Sequence, residues 1–163
     1  MSAVELGRPG TFEAGTALVR QVLSSYGISL DNFEMQDGSG LSRAGRIPAA
    51  TLAQLLDAIT ESAALGAILE GLPVSGEAGA SLGPEWGRFD DPDSECAVGK
   101  VHAKTGTLTG AVALSGVTRT DDGDWRIFSF IENDSTAAPG DIKDAMDGLA
   151  ATVNLLLGLT PRT

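Results

Sequence analysis

The last third of the chain limits the fold most strongly, because its apolar pattern changes there from helical to strand-like spacing. Residues 101–105, 111–120 and 125–132 are predicted to be strands, and the Asp-Asp-Gly-Asp run at 121–124 predicts a hairpin turn. A final amphipathic helix is predicted over 140–158. A hairpin sheet needs a helical layer on its apolar face, so this order predicts an α+β fold with antiparallel strands and packed helices.

The first part of the chain is predicted to be mainly helical. Apolar residues at helical spacing predict helices over 13–26 and 48–62 and a shorter one over 63–71. A short strand is predicted over 30–36, and the Gly-, Pro- and acid-rich residues 73–99 are predicted to form a long functional or mobile loop. The residues predicted to face a core from the three long helices are Ala14, Leu18, Val22, Tyr26, Leu52, Leu55, Leu56, Ile59, Ile142, Met146, Leu149, Val153 and Leu156.

Charge and composition exclude several classes of protein. Asp and Glu outnumber Lys and Arg by 22 to 11, and the net charge of −11 argues against binding to nucleic acid or anionic lipid. The 163 residues fit one domain. There is no apolar run of the ~20 residues needed for a membrane span. The N-terminus lacks the pattern of a signal peptide, and the single Cys96 allows no internal disulfide.

The sharpest motif is Lys-Thr-Gly within residues 101–110. The ammonium group of Lys104 can hold a substrate carboxylate, and the hydroxyls of Thr105 and Thr107 can hydrogen-bond to it. Gly106 lets a peptide-like substrate approach the strand backbone and align as an added strand. Taken alone, the same residues also suit an ordinary strand that runs into a glycine turn.

A second motif is the Asp-Gly-Ser-Gly-Leu-Ser-Arg run at residues 37–43. A hydroxyl in a tight loop near a helix start, such as that of Ser42, can relay a proton or donate to an anion. The plainer interpretation is an Asp-Gly turn in which a serine acts as a local cap.

Together, the two motifs resemble part of the active site of the class C penicillin-binding proteins, which are serine D-Ala-D-Ala carboxypeptidases/endopeptidases. Residues 37–48 resemble the second motif of that family, and residues 104–110 with 113–116 resemble its third motif and inner strand. Residues 72–76 resemble the segment between them, and the resemblance extends from about residue 7 to about residue 156. It implies a partial transpeptidase-like (β-lactamase-like) domain.

The resemblance also implies roles for individual residues. Ser42 and Lys104 would be catalytic. Ser42 would relay a proton to the leaving amine, and Lys104 with Thr105 would act through electrostatics and bind the substrate carboxylate. Gly106 would lie against the substrate, and Thr107 would supply a backbone N–H to the oxyanion hole. The reaction would transfer the acyl group of a D-Ala-D-Ala stem peptide, through an acyl-enzyme, to water, with no metal or cofactor. β-Lactams would also bind. The resemblance also implies that the protein is located outside the cytoplasm, at the cell envelope.

Two departures from the family pattern stand out. The family usually has an asparagine near the positions of Ala44 and Gly45. The nucleophile motif Ser-x-x-Lys is absent, since the residues three places before Lys100, Lys104 and Lys143 are Ala97, Val101 and Gly140. We therefore expect residues 1–163 to be one C-terminal segment of the enzyme that is inactive alone. Its partner would be the N-terminal portion or another copy of the chain.

Four other interpretations deserve comparison. A noncatalytic module that binds cell-wall peptide or a partner protein would also lack the nucleophile. Residues 40–44 nearly match a hydrolase nucleophile elbow, but the only histidine, His102, lies in a predicted strand. A thiol enzyme would need an activated Cys96, which nothing nearby indicates. The acidic run at 90–95 lacks the spacing of an EF-hand calcium loop and suits a solvated loop better.

Overall fold

The computed structural model describes Gly7 and residues 9–120 and 123–155, and it divides into two compact units, Met1–Ala58 and Ile59–Thr163. The structure consists of helices, then a three-stranded sheet, then a helix, which confirms the predicted α+β class. The elements in chain order are α1 (Phe12–Ser25), α2 (Ala49–Glu61), α3 (Gly66–Glu70), β1 (Val101–Leu108), β2 (Ala111–Arg119), β3 (Trp125–Asn133) and α4 (Pro139–Leu155).

Helix α1 has clear start and stop signals. The hydroxyl of Thr11 accepts the N–H of Ala14 at 3.2 Å, which satisfies one of the free donors of the first turn. Gly27 follows the helix with φ +73°, a conformation that glycine adopts at little cost. The buried side chain of Leu23 joins a small core of the first unit with Ile28 and Phe33.

The predicted face of α1 is partly wrong. Leu18 and Leu23 are buried, whereas Val22 and Tyr26 are 43 % and 41 % exposed. Apolar residues flank the buried line on both sides, so helical spacing alone did not fix which of them face the core. The predicted strand over 30–36 is also wrong, because Glu34 forms a single isolated bridge with Arg46 rather than a ladder.

The predicted helices over 48–62 and 63–71 are confirmed as α2 and as a 3-10 turn that leads into α3. On α2, Leu56 and Ile59 are buried and Leu52 and Leu55 are half-buried, as their spacing predicts. No single helix in the described residues is long and apolar enough to cross a membrane. The helices Ala49–Glu61 and Ala63–Glu70 reach that length and apolar character only when taken together, and the pair is bent by 106°.

The second unit is built on an antiparallel sheet with the strand order β1-β2-β3. β1 runs three residues beyond the predicted strand end, to Leu108. Helix α4 packs on one face of the sheet, where alternate residues such as Ala103 and Leu114 are fully buried. Residues Asp121 and Asp122 of the predicted turn lie outside the described residues, and Gly123 closes that turn with its N–H bonded to the carbonyl of Thr120.

Helix α4 confirms the prediction over 140–155, while residues 156–158 lie outside the described part of the chain. Met146 is buried, and Ile142 and Val153 pack against the core. Leu149 is 52 % exposed, so its predicted core position is wrong. Small and polar residues take the sheet-facing positions, which a search for apolar spacing passes over. The buried residues of α4 are Met146, Asp147, Ala150, Ala151 and Asn154.

Residues 73–99 lack long elements, as predicted, but they contribute directly to the core through Leu82, Phe89 and Ala97. The guanidinium of Arg88 donates to both carboxylate oxygens of Asp147, with Nε to Oδ2 at 2.8 Å, and both side chains are almost fully buried. The N–H of Phe89 donates to the same Oδ2 at 3.1 Å. Burial raises the pKa of Asp147, and the hydrogen bonds from Arg88 oppose that change.

Candidate active site

The Lys-Thr-Gly motif lies in the second half of β1. Lys104, Gly106 and Thr107 are exposed, and Thr105 is half-buried. The Nζ atom of Lys104 donates to the carbonyl oxygen of Thr105 at 2.9 Å and lies 3.4 Å from its hydroxyl oxygen. The ammonium group is therefore held against the strand backbone in the absence of a ligand, at a position that solvent can reach.

The outer edge of β1 is covered over part of its length only. The N–H of Ala103 donates to the carbonyl of Pro73 at 3.0 Å, and the N–H of Ser75 donates to the carbonyl of Val101 at 2.9 Å. Backbone groups alternate in direction along a strand, so those of Thr105 and Thr107 point to the same outer edge. In the described residues, no other backbone segment pairs with that edge beyond Ala103.

A buried serine fastens the segment that covers the first half of this edge. The hydroxyl of Ser75, 1 % exposed, donates to the carbonyl of Ala97 at 2.7 Å and accepts the N–H of Val101 at 3.2 Å. Sequence reasoning missed this role of Ser75, because it depends on contacts more than 20 residues away along the chain. The fastened segment defines where the covered edge stops and the open edge begins.

The neighbouring atoms in the chain do not require a glycine at position 106. A Cβ atom built at Gly106 would lie 3.5 Å from the Cβ of Ala113, an ordinary contact distance. Its backbone is also free of the positive φ angles that favour glycine. What glycine provides at this position is an unobstructed strand surface, as expected for a site that receives a peptide backbone.

The face of the sheet that carries Lys104 is polar at its centre. Lys104, Ser115 and Ser129 lie opposite one another across the three strands. The hydroxyl oxygens of Ser115 and Ser129 are 2.8 Å apart and share a hydrogen bond. Residue spacing did not predict this serine pair, which exists only because of the strand register.

His102 lies two residues before Lys104 on the same face of β1. Its ring meets that of Trp125 edge-on, with 6.1 Å between the ring centroids. Burial lowers the pKa of His102, and the negative charge of Glu77 partly opposes this change. A lowered pKa favours the neutral imidazole near pH 7, so a second positive charge beside Lys104 is avoided.

The Ser42 loop lies in the first unit and is organised by one carboxylate. Asp37 accepts the N–H of Gly40 at 2.7 Å through Oδ1 and the N–H of Ser42 at 2.9 Å through Oδ2. The hydroxyl of Ser42 accepts the N–H of Ala44 at 3.3 Å, which matches the local cap considered for this serine. Glu34 and Arg46 close the base of the loop with two backbone hydrogen bonds of 2.7 Å.

The predicted site residues thus fall into two sets. Lys104, Thr105, Gly106 and Thr107 lie together on one strand of the second unit, whereas Ser42 is half-buried in a loop of the first. The hydrogen-bond partners given above for each set belong to the same unit as that set. In the strand set, the ammonium of Lys104 lies near the hydroxyl of Thr105, and the backbone N–H groups of Thr105 and Thr107 point to the same open edge. This arrangement suits an extended ligand that ends in a carboxylate.

The acidic run at 90–95 makes local contacts in the described residues. Asp91 accepts the N–H groups of Asp93 and Ser94 at 2.8 and 3.1 Å, so it stabilises its own turn. In the described residues, no group of three His, Cys, Asp or Glu side chains could hold a metal ion. Cys96 is exposed in a 3-10 turn.

The fold and the Lys-Thr-Gly strand define a partial domain of the penicillin-binding-protein type. The chain belongs to the D-Ala-D-Ala carboxypeptidase 3 (S13) family, whose model matches residues 1–153. This finding confirms the family resemblance drawn from the two motifs.

Relatives and solved structures agree with the family assignment. The chain is 35 % identical over 154 residues to carboxypeptidase DacB of Mycolicibacterium smegmatis, covering 93 % of this chain and 32 % of that protein. It is 34 % identical over 143 residues to a D-alanyl-D-alanine carboxypeptidase of Actinomadura sp. strain R39, covering 87 % and 26 %.

Penicillin binding protein 4 of Haemophilus influenzae, solved in complex with a β-lactam, superimposes with a TM-score of 0.70 at 27 % identity, covering 92 % of this chain and 34 % of that one. The chain thus spans about a third or less of the length of these relatives.

Proposed function

We propose that this chain is the C-terminal portion of a serine-type D-Ala-D-Ala carboxypeptidase/endopeptidase that acts on cell-wall peptides at the cell envelope and binds β-lactams. The observation that carries the proposal is the open outer edge of β1 at Thr105 and Thr107, directly beside the exposed ammonium of Lys104. Membership of the carboxypeptidase family supplies the reaction type.

The strand would bind the C-terminal end of a stem peptide. An extended peptide can pair with the outward backbone groups of Thr105 and Thr107, as an added strand does. Its terminal carboxylate would be held by the ammonium of Lys104 and the threonine hydroxyls. The ammonium of Lys104 has three N–H donors, so it can bind this carboxylate while one of them donates to the carbonyl of Thr105. The N–H of Thr107 would stabilise the oxyanion of the tetrahedral intermediate.

Ser42 would act when the leaving group departs. The loop holds its hydroxyl near its own backbone, where it accepts the N–H of Ala44 and can still donate its proton. We assign it the transfer of a proton to the amine of the departing D-Ala. Ala44 and Gly45 supply no side-chain amide at this point, so the loop offers the substrate a hydroxyl and backbone groups only.

The nucleophile must come from outside these 163 residues, because the chain contains no Ser-x-x-Lys. In the complete enzyme a serine hydroxyl would attack the carbonyl carbon of the penultimate D-Ala. The bond to the terminal D-Ala breaks and its amine leaves with a proton. Water then hydrolyses the acyl-enzyme ester and regenerates the serine. The isolated chain would bind ligand at the strand without forming this ester.

Intact-mass analysis after incubation with a penicillin tests the proposal. We expect no mass gain for the isolated chain and a gain of one acyl group when the same segment is joined to an upstream portion that carries Ser-x-x-Lys. In that complete enzyme, Lys104→Ala should slow acylation by about 10²-fold or more, as loss of a key electrostatic contact does. Lys143→Ala, on α4, is the control and should leave the rate unchanged. Normal acylation of Lys104→Ala would refute the assigned role of the strand.

A second function, a noncatalytic module that binds cell-wall peptide, is favoured by the missing nucleophile motif. Such a module would bind the peptide at the same strand site as the enzyme but would form no acyl-enzyme. Saturable binding of a D-Ala-D-Ala peptide, seen as shifts of the Thr105 and Thr107 amide resonances, with no acylation even after the upstream portion is joined, would establish the module in place of the enzyme.

A further inference from the structure

Residues 73–76 form a covering segment that pairs with the first half of the outer edge of β1. The N–H of Ser75 donates to the carbonyl of Val101 at 2.9 Å. Two residues further along β1, the N–H of Ala103 donates to the carbonyl of Pro73 at 3.0 Å. The covering segment therefore occupies the outward backbone groups that directly precede the proposed peptide site.

The pairing stops at Pro73 for two reasons. In a complete antiparallel pair, the residue opposite Ala103 accepts its N–H and donates one in return, and proline has no N–H to donate. The backbone before the proline is already bonded at the end of α3, since the N–H of Leu72 donates to the carbonyl of Leu69 at 3.3 Å. The next outward residue of β1, Thr105, is thus the first that a separate strand can reach.

The hydroxyl of Ser75 takes the place of a backbone acceptor. The carbonyl of Ser75 accepts the N–H of Gly99 at 2.8 Å. The Oγ atom instead accepts the N–H of Val101, at 3.2 Å, and donates its own proton to the carbonyl of Ala97 at 2.7 Å. Val101 and Ala97 are fully buried, so without the hydroxyl both groups would lose their partner and water could not replace it.

We propose that Ser75 is a positioning residue for the peptide site, because its hydroxyl keeps the covering segment on β1 and so fixes the register in which a peptide can pair. The nearest competing register with the same backbone direction begins two residues before Thr105, at Ala103. In that register the peptide would be displaced by about 7 Å, at ~3.4 Å per residue. Its terminal carboxylate would be displaced equally from the threonine hydroxyls proposed to bind it. This role rests on the proposed function.

Amide hydrogen exchange of this chain, measured by NMR, tests whether the hydroxyl holds the covering segment. In Ser75→Ala the amides of position 75 and Ala103 should exchange about tenfold to a hundredfold faster, because two buried groups lose their partner and the segment opens more often. Ser94→Ala is the matched control. Ser94 is also fully buried in the second unit, and its hydroxyl donates to Asp91 at 2.9 Å. Equal acceleration in both variants would mean a general loss of stability and would overturn the role of Ser75.

Added peptide separates positioning from stability. In Ser75→Ala, a saturating D-Ala-D-Ala peptide should slow exchange at Ala103 and speed it at position 75, because the peptide takes the edge from the covering segment. In the unchanged chain both amides should keep their rates while the Thr105 and Thr107 resonances shift. The same response at both amides of the variant, or none, would contradict the proposal. A peptide that leaves Thr105 and Thr107 unshifted in the unchanged chain would contradict the proposed function itself.

Kinetics of the complete enzyme give a second measurement. Peptide bound in the wrong register is not cleaved, so equal occupation of the two registers lowers kcat and KM together by about twofold and leaves kcat/KM unchanged. Less folded enzyme would lower kcat at the same KM. We expect the parallel decrease for Ser75→Ala and unchanged constants for Ser94→Ala. A decrease in kcat alone, or no change in either constant of Ser75→Ala, would refute the positioning role, while cleavage by the unchanged enzyme would leave the proposed function intact.

Discussion

The Lys-Thr-Gly strand and the Ser42 loop differ in what holds them in place. β1 is paired with β2 along its whole length and is backed by fully buried residues such as Val101 and Ala103. The Ser42 loop lies on the surface of the first unit, and two side-chain-to-backbone bonds from Asp37 hold it together. One motif therefore depends on the core of its unit, and the other depends on local hydrogen bonds, two of which are accepted by the carboxylate of Asp37.

This difference has a chemical rationale. A strand that binds a peptide backbone must keep its groups at fixed spacing, and a sheet with a packed core provides that rigidity. A loop that passes a proton to a leaving amine has to place only one hydroxyl. Mutations should therefore act on the strand through global stability and on the loop through local opening.

The largest effect is expected from Asp147→Ala, which breaks the buried pair with Arg88 behind the sheet. The variant leaves the guanidinium buried without its partner and also removes the acceptor of the Phe89 N–H, which supports a residue with φ +54°. We expect a loss of ~3–5 kcal/mol in the free energy of unfolding. Urea denaturation at neutral pH measures it.

The matched control is Asp144→Ala, an exposed carboxylate on the same helix. Its negative charge lies close enough to raise the pKa of Asp147. Removal of this charge should therefore leave the free energy of unfolding unchanged or increase it slightly. A similar loss of stability in both variants would mean that the ion pair has no special role, and that the strand is held by apolar packing alone.

A smaller effect is expected from Gly116→Ala on β2. A Cβ atom there would overlap the carbonyl of His102 and the Cα and Cβ atoms of Ala103, so the two strands must separate locally. Overpacking of this kind costs ~1–3 kcal/mol, which thermal denaturation would show as a lower Tm. Gly106→Ala is the control, since its Cβ has room beside Ala113. Equal destabilisation by both would contradict the tight fit at Gly116.

The sequence predicted the strands well because the relevant signals are local. Alternation and the Gly-containing turn are features of adjacent residues, and the four strand residues of the site are consecutive. The ion pair could not be predicted in this way, because Arg88 and Asp147 are 59 residues apart and neither lies in an apolar pattern. The half-covered edge of β1 was missed for the same reason, since Pro73 and Ser75 reach it from a segment without periodic structure.

Errors within helices have a different origin. Leu149 was predicted to be buried because it continues the apolar spacing from Ile142 and Met146. In the structure the sheet-facing positions are taken by Ala150 and Ala151, which let α4 approach the strands closely. Spacing gives the period of a helix, but the size of the residues decides which face can pack.

The smallest effect on global stability is expected from Asp37→Ala, and it tests the loop side of the comparison. Without the carboxylate, the N–H groups of Gly40 and Ser42 lose their acceptor and exchange with water. A net hydrogen bond of about 1 kcal/mol predicts that local exchange at these amides quickens by roughly fivefold to tenfold. Hydrogen exchange measured by NMR resolves them individually.

Asp31→Ala, in an exposed turn of the same unit, is the control for loss of charge and should leave both amides unchanged. If Asp37→Ala instead lowers the stability of the whole unit by as much as Gly116→Ala does in the other, the loop is part of a cooperative core. The contrast between a strand held by its core and a loop held by local hydrogen bonds would then be wrong. Rapid exchange confined to Gly40 and Ser42 would establish it, since only a locally held loop opens without unfolding its surroundings.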